Sequence, residues 1–229
     1  MPSGRVESHN GYNSAMSPRA IRLRRPAVLS VQEGVFVPER PKGILDEVDR
    51  RWEVLCAANP AYFDGRLYHV LGVHRNGHGG CVLHVMDSAY RFFAVQDEDF
   101  DLGMRALGAK GITRSGDRVL MGLRSPTVGV YRNLWEFAPG GSICPGDDPS
   151  SLIQQELQEE TGLAPAHDPT AAAVLFDPVL RCWEIVFRIQ AQQNEPTPRT
   201  DEYAQLQWCS IDNLPAQLSP IAQQITELL

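Results

Sequence analysis

The spacing of apolar residues divides the first hundred residues into strands and two helices. Apolar side chains recur with a helical period from Ile44 to Ala58, and the pattern stops at Asn59-Pro60. Residues 22–38 contain apolar runs typical of one or two strands, and residues 67–73 and 81–86 alternate as strands do, on either side of an Asn-Gly turn. Aromatic residues among acids in residues 88–99 predict a short helix.

The second half of the chain predicts a mixed sheet with a helix on either side. Asp148-Pro149 has the pattern of a helix start and Gly162 that of a helix end. Strands are predicted at residues 106–114, 118–123, 171–176, 182–190 and 205–210, and a closing helix at residues 221–228. Strands before and after a buried helix predict an α/β/α sandwich on a mixed sheet, within an α+β protein.

Composition excludes several classes of protein. The chain has 229 residues, of which 43% are hydrophobic and 21% charged, as in ordinary globular proteins. No apolar run approaches the roughly 18 residues of a membrane span, and the first residues lack the pattern of a secretory signal. The net charge of −7 argues against a nucleic-acid binder. The five cysteines show no close pairing, so we expect reduced thiols in a cytoplasmic protein without membrane contact.

Three regions are predicted along the chain. Residues 1–26 hold five arginines against one glutamate among Ser, Asn and Gly, and are expected to form a mobile, polar and basic arm. Residues 27–99 are expected to form a small α+β region, and residues 100–229 the main domain.

An acidic cluster is the strongest chemical signal in the sequence. Glu159 and Glu160 follow Glu156 by three and four residues, so all three lie on one side of the predicted helix. Like charges at this spacing repel, and carboxylates at a helix C-terminus oppose its dipole. A hard divalent cation such as Mg²⁺ or Mn²⁺ would relieve the repulsion, because both prefer oxygen ligands. The alternative is a solvated acidic face, which is common.

The residues before the helix favour the cation site. Residues 133–138 alternate like a strand and run into Pro139-Gly140-Gly141, so a strand, a glycine turn and a capped helix bring the carboxylates together. The carbonyl of Gly140 could add an oxygen ligand.

Residues 141–163 resemble the box of the Nudix hydrolases, G-x5-E-x7-R-E-U-x-E-E-x-G-U, where U is a bulky apolar residue. Gly141 opens the box, the three glutamates occupy its acidic positions, and Gly162-Leu163 close it. Asp147 stands where the family has Glu, and Gln155 where it has Arg. In the family these two commonly form a supporting ion pair, so the contact expected here, if made, is a carboxylate-to-amide hydrogen bond.

The resemblance implies a reaction and a site. The reaction is metal-dependent hydrolysis of a nucleoside diphosphate linked to another moiety. Glu156, Glu159, Glu160 and Gly140 would hold Mg²⁺ (or Mn²⁺), and Glu156, Glu159 or Glu202 would act as general base. The N-terminal half resembles the leader of Nudix enzymes acting on UDP-glucose and UDP-galactose, at Trp52, residues 62–64 and residues 90–91. It implies a nucleotide-sugar substrate, with Tyr90, Arg91 and Glu136 in contact with it.

Two other functions stay open at this stage. Asp147 and Gln155 are compatible with a Nudix-fold module that senses a nucleotide without cutting it. A sanitiser of oxidised nucleoside triphosphates would differ only in substrate, although the extra N-terminal half argues against it. A small-molecule substrate is expected in each case, and a homodimer is left open.

Overall fold

The computed structural model describes residues 20–39, 41–60, 62–192 and 194–229, which form eleven strands and four helices. The strands are β1 (Ile21–Arg22), β2 (Val28–Phe36), β3 (Arg66–Arg75), β4 (Cys81–Ala89), β5 (Leu107–Ser115), β6 (Arg118–Arg124), β7 (Trp135–Phe137), β8 (Gly140–Ser142), β9 (Thr170–Asp177), β10 (Cys182–Gln190) and β11 (Tyr203–Ser210). The helices are α1 (Ile44–Ala58), α2 (Tyr90–Ala94), α3 (Pro149–Thr161) and α4 (Pro220–Thr226).

The larger sheet is mixed and carries the acidic helix. Its main path runs β1-β9-β10-β5-β6-β11, with β7 paired to β6 and β8 paired to β5. The pair β10–β5 is parallel, and the other pairs of this sheet are antiparallel. The short strands β7 and β8 therefore bring the glycine turn directly onto the centre of the sheet.

The two faces of the larger sheet are covered by different helices. Alternate residues of β5 point to opposite faces. Ala109 packs in one core cluster with Ile153 and Leu157 of α3, whereas Ile112 packs in another with Ile221 and Ile225 of α4. The predicted sandwich of helices around a mixed sheet, within an α+β protein, is confirmed.

The N-terminal region shares its core with the main domain. Strands β2-β4-β3 form a separate three-stranded sheet, yet Tyr68 and Leu83 of that sheet are buried in the same cluster as α3. Helices α1 and α2 pack in a third cluster that also contains Met104 and Cys182. Residues 27–99 are therefore joined to the larger sheet by continuous apolar packing.

The predicted arm of residues 1–26 extends too far into the fold. Residues 1–19 lie outside the described residues. Ile21 and Arg22 pair with Val174 and Ala173 of β9, and Leu23 is buried in the core. The Ile-Arg-Leu alternation is too short to identify as a strand in an arginine-rich segment, and only the edge of β9 makes it one.

The helices of the protein are short or polar. Across the described part of the chain, every helix is too short or too polar to cross a lipid bilayer.

Candidate functional site

Helix α3 has the capped ends that its sequence predicts. The Ser151 N–H donates to Asp148 Oδ1 (2.8 Å), and Pro149 occupies the first turn, where it has no N–H to leave unpaired. Gly162 ends the helix at φ 73°, a left-handed conformation that glycine adopts without strain. The apolar stripe of the helix is buried on the sheet, which fixes the side that carries the glutamates.

The two glycines of the turn allow close approach on opposite faces of β8. A Cβ atom at Gly141 would lie 2.3 Å from Glu156 Oε1, so only glycine leaves room for this carboxylate. A Cβ atom at Gly140 would lie 2.8 Å from Lys110 Nζ. Successive positions of β8 therefore place a carboxylate on one face and a cation on the other.

Glu160 is the most perturbed carboxylate of the helix. It is 2% exposed, the Gly140 N–H donates to its Oε2 (3.2 Å), and its buried Oε1 has no hydrogen-bond partner. Burial, together with the negative charges of Glu202 and Glu156, raises the pKa of Glu160 to about 9. A buried, unpaired carboxylate oxygen is costly in a folded protein unless a cation or proton joins it.

Glu156 and Glu202 lie in the same electrostatic environment. Burial raises the pKa of Glu156 to about 7, and Glu202, Glu159 and Asp147 add to the rise through their negative charges. Glu202 also contributes to the raised pKa of Glu160, and it accepts a hydrogen bond from Arg124 Nη1 at 2.6 Å. The structure therefore places Glu202 near enough to Glu156 and Glu160 for its charge to act on both carboxylates.

The loop that carries Glu202 is attached to the end of α3. The Thr197 N–H donates to the Thr161 carbonyl (2.9 Å), and the Arg199 N–H donates to the Glu160 carbonyl (3.0 Å). These bonds satisfy carbonyls that a helix C-terminus otherwise leaves free. They also fix the position of Glu202 relative to Glu160.

The substituted pair of the box does not form the expected bond. The Cys144 N–H donates to Asp147 Oδ2 (2.8 Å), whereas Gln155 Nε2 donates to Glu159 Oε1 (2.7 Å). Asp147 and Gln155 therefore bond to other partners and not to each other. Asp147 is short enough to bond within its own turn, and Gln155 lies one helical turn before Glu159.

Two largely buried cations, Lys110 and Arg124, border the carboxylates, and the sequence analysis made no prediction for either. Lys110 Nζ lies 3.0 Å from Glu136 Oε2, and Arg124 Nε lies 3.7 Å from the same oxygen. The Lys110 charge lowers the pKa values of Glu156 and Glu160, so it lies close to both. The available signal was a lysine in the middle of an apolar strand, which is seldom buried without a partner.

Glu136 holds these cations in place. It is 2% exposed, and its Oε1 accepts a hydrogen bond from Ser219 Oγ (3.1 Å) while its Oε2 faces Lys110. Both oxygens are thus engaged inside the protein. Glu136 thus supports Lys110 and Arg124 in the structure, and the substrate contact expected for it stays a prediction.

Tyr90 and Arg91 lie apart from the box. Tyr90 belongs to an aromatic cluster with Trp52 and Tyr62, at centroid distances of 6.1 and 6.3 Å, and burial raises its pKa to about 12. Arg91 forms ion pairs with Asp49 (3.1 Å) and Asp64 (3.3 Å). These contacts join α1, α2 and the segment before β3, and the substrate contact expected for both residues stays a prediction.

The donor set fits a cation only in part. Within residues 20–39, 41–60, 62–192 and 194–229, no three His, Cys, Asp or Glu side chains converge closely enough to enclose a metal ion. The unpaired Oε1 of Glu160, beside Glu156 and the Gly140 turn, does suit a hard cation. Mg²⁺ commonly keeps several waters and takes one or two carboxylates plus substrate phosphates, which matches this incomplete protein shell.

Comparison with known proteins concerns the second half of the chain. The model of the NUDIX domain matches residues 104–229, and no curated protein matches the chain. Among solved structures, a MutT NUDIX hydrolase from Burkholderia pseudomallei is 21% identical, with a TM-score of 0.47, covering 55% of this chain and 98% of that one. A MutT protein from Methanosarcina mazei is 16% identical, with a TM-score of 0.45, covering 54% and 91%.

A third similar structure comes from a larger protein. A bifunctional NMN adenylyltransferase/ADP ribose pyrophosphatase from Francisella tularensis is 19% identical, with a TM-score of 0.45, covering 55% of this chain and 41% of that one. The segment matched by the family model is more than half of this chain and contains every residue of the box. The chain therefore belongs to the NUDIX domain family.

Proposed function

We propose that this protein hydrolyses a nucleotide sugar at its diphosphate, with Mg²⁺ or Mn²⁺ bound by Glu156, Glu160 and the Gly140 carbonyl. Glu159 would join them once its bond to Gln155 is released. The observation that carries the proposal is Glu160, a buried carboxylate with one oxygen lacking a partner, set beside two further carboxylates. Such a cluster is unstable without a cation, and a diphosphate is the natural second ligand of that cation.

The cations support an anionic substrate. Lys110 and Arg124 are largely buried and form ion pairs with Glu136. Their positions are therefore fixed by the protein before substrate binds. Positioned cations stabilise charge that develops on phosphoryl oxygens. Lys110 and Arg124 would orient the diphosphate, and Ser219 would keep Glu136 aligned behind them.

Proton transfer falls to the carboxylates. A bound divalent ion supplies charge neutralisation at the phosphates and lowers the pKa of attacking water. Glu156, whose pKa is raised to about 7, is poised to accept a proton near neutral pH, and Glu202 is the second candidate. Arg124 holds the Glu202 carboxylate through its 2.6 Å contact and would orient it toward the site.

The nucleotide-sugar class rests on the N-terminal half. A Cβ atom at Gly129, in the loop after β6, would lie 3.0 Å from Tyr62 Oη, so the aromatic cluster of Trp52, Tyr62 and Tyr90 borders a loop of the Nudix domain. Aromatic rings at the edge of a site commonly stack on bases and sugars. A minimal Nudix domain acting on free triphosphates needs no such addition.

The test is a substrate screen with a matched variant. Nucleotide sugars, ADP-ribose, dinucleoside polyphosphates and oxidised triphosphates are incubated with Mg²⁺, and released phosphate is measured after phosphatase treatment. We expect nucleotide sugars to be cut fastest, and Glu160→Gln to lower turnover by orders of magnitude. Glu53→Gln, on the exposed surface of α1, is the control and should be unchanged. Normal turnover by Glu160→Gln would refute the assigned site.

A sensing function has one observation in its favour. The 2.7 Å bond from Gln155 Nε2 occupies Glu159 Oε1, which would otherwise be free to bind a metal ion. If calorimetry finds tight nucleotide binding while the screen finds no hydrolysis, and Gln155→Arg restores turnover, the chain is a nucleotide-binding module.

A further inference from the structure

One buried carboxylate has no part in the reaction described above. Glu184 lies on β10 and is 8% exposed. Val186, two residues further along β10, packs in the α4 cluster, so Glu184 points to that same face, away from α3. A Cβ atom at Gly108, its neighbour on β5, would lie 2.5 Å from Glu184 Oε2. The carboxylate therefore lies directly on the backbone of β5, where only glycine leaves room.

The carboxylate of Glu184 lacks strong donors. Its Oε1 has a weak contact with Cys182 Sγ at 3.6 Å, and its buried Oε2 has no partner. Burial raises the pKa of Glu184 to about 7 against the opposing charge of Lys110. Leaving a buried acceptor unpaired costs about 1–3 kcal/mol, and more when it is charged.

A neighbouring carboxylate shows that this fold can satisfy a buried acid. Asp177 is 1% exposed, and Tyr131 Oη donates to its Oδ2 (2.6 Å). The N–H groups of Val179 and Leu180 donate to its Oδ1 (2.9 and 3.1 Å). Asp177 and Glu184 are thus two buried acids of one region: both oxygens of Asp177 accept hydrogen bonds, whereas Oε2 of Glu184 has no partner.

The position of Glu184 is continuous with the proposed diphosphate site. Lys110 lies two residues after Gly108 on β5 and so shares the face on which Glu184 lies. Its ammonium is bound to Glu136, is 14% exposed, and lies close enough to lower the pKa values of Glu156, Glu160 and Glu184. If the diphosphate of the proposed substrate contacts Lys110, the rest of the substrate would run along β5 toward Glu184.

We propose that Glu184 is a specificity-determining residue that accepts a hydrogen bond from an N–H or O–H group on the nucleoside or sugar of the substrate. The inference rests on the proposed function for the place of the diphosphate. A ligand without a donor opposite Glu184 leaves this acceptor unpaired. Its affinity is therefore lowered by more than the loss of one hydrogen bond. The donor can belong to the base or to the linked sugar.

The test compares wild type with Glu184→Gln, which keeps the shape but turns one acceptor into a donor. Binding of UDP-glucose, ADP-ribose, UDP and ADP is measured by calorimetry, and hydrolysis of the first two is measured with Mg²⁺. We expect an about 10- to 100-fold loss of affinity and a matching rise in KM, with little change in kcat. Glu53→Gln is again the control. Glu184→Asp, which retracts the acceptor, should show the same KM effect if Glu184→Gln folds poorly.

The two nucleotide classes locate the donor. Weaker binding of UDP or ADP as well as the sugar-linked nucleotides assigns the donor to the nucleoside, whereas weaker binding of the sugar-linked nucleotides alone assigns it to the sugar. Unchanged affinity for all four ligands, with hydrolysis intact, overturns this inference and leaves the proposed function standing. Affinity that depends on Glu184, in a protein that hydrolyses neither substrate, supports this inference and overturns the proposed function. A wild type that binds none of the four overturns both.

Discussion

Replacing Glu160 by glutamine should stabilise the metal-free protein while abolishing its response to Mg²⁺. The change keeps the size of the side chain and an acceptor for the Gly140 N–H. It removes an ionisable group that is 2% exposed and whose charged form is disfavoured by Glu202 and Glu156. The wild-type carboxylate is therefore a source of strain in the absence of a cation.

The magnitude follows from the pKa of Glu160, which is raised from an ordinary value of 4.5 to about 9. Because the folded state holds this proton more tightly than the unfolded state, its contribution is complete below pH 4.5 and is lost as pH rises toward 9. Each pKa unit is worth about 1.4 kcal/mol, so the wild type forfeits up to about 3 kcal/mol of unfolding free energy at pH 7 relative to pH 4.5. For a chain of this size that is a Tm change of roughly 5–10 °C.

The assay is thermal unfolding of both proteins in EDTA from pH 5 to 8.5, repeated with Mg²⁺. We expect the Tm advantage of Glu160→Gln to grow with pH in EDTA, and Mg²⁺ to raise the Tm of the wild type alone, since binding to the folded state stabilises it. Glu53→Gln should follow the wild type throughout. Equal Tm values at pH 8 in EDTA would refute the electrostatic reasoning, and an equal rise with Mg²⁺ would refute the role of Glu160 in holding the ion.

Three further predictions follow from the geometry. Gly141→Ala places a Cβ atom 2.3 Å from Glu156 Oε1 and should lower kcat at least tenfold, while the circular-dichroism spectrum remains that of the folded wild type. Unchanged turnover would show that Glu156 can move freely. The rate of hydrolysis should rise with pH through about 7 as Glu156 loses its proton. The pH at half-maximal rate should fall at higher Mg²⁺ concentration, because the ion competes with the proton, and a half-maximal pH independent of Mg²⁺ would contradict this. Deleting residues 1–19 should leave Tm and KM nearly unchanged, because this segment has few apolar residues. Deleting residues 1–25 also removes β1 and Leu23 and should lower Tm by several degrees. A large rise in KM for the shorter deletion would show that residues 1–19 contact the substrate.

The box could be found from sequence because its signals are local. The cap at Asp148, the left-handed Gly162 and the spacing of the three glutamates all act within one helix, so local rules predict them. The regular apolar period and Pro60 predict helix α1 from Ile44 to Ala58, and the helix begins and ends at those residues.

The supporting cations could not be found in the same way. Lys110, Arg124 and Ser219 come from three separate parts of the chain and meet Glu136 in a fourth. The pairing of β6 with both β5 and β7 brings Lys110, Arg124 and Glu136 together. A charge in a strand sequence gives no sign of its partner. The sequence does not predict the short strand β1 for a related reason, because β1 is stabilised by pairing with the edge of β9 and not by its own residues.

The bonds from Thr197 and Arg199 to the end of α3 have a consequence for how the chain tolerates changes in length. Residues 194–196, which precede these bonds, can accept inserted residues without moving Glu202, because the added chain can extend into solvent. One residue inserted between Arg199 and Glu202 would instead shift the carboxylate along the loop while the helix stays fixed. In enzymes built on this plan, variation in loop length should therefore collect before Thr197 and be rare from there to β11.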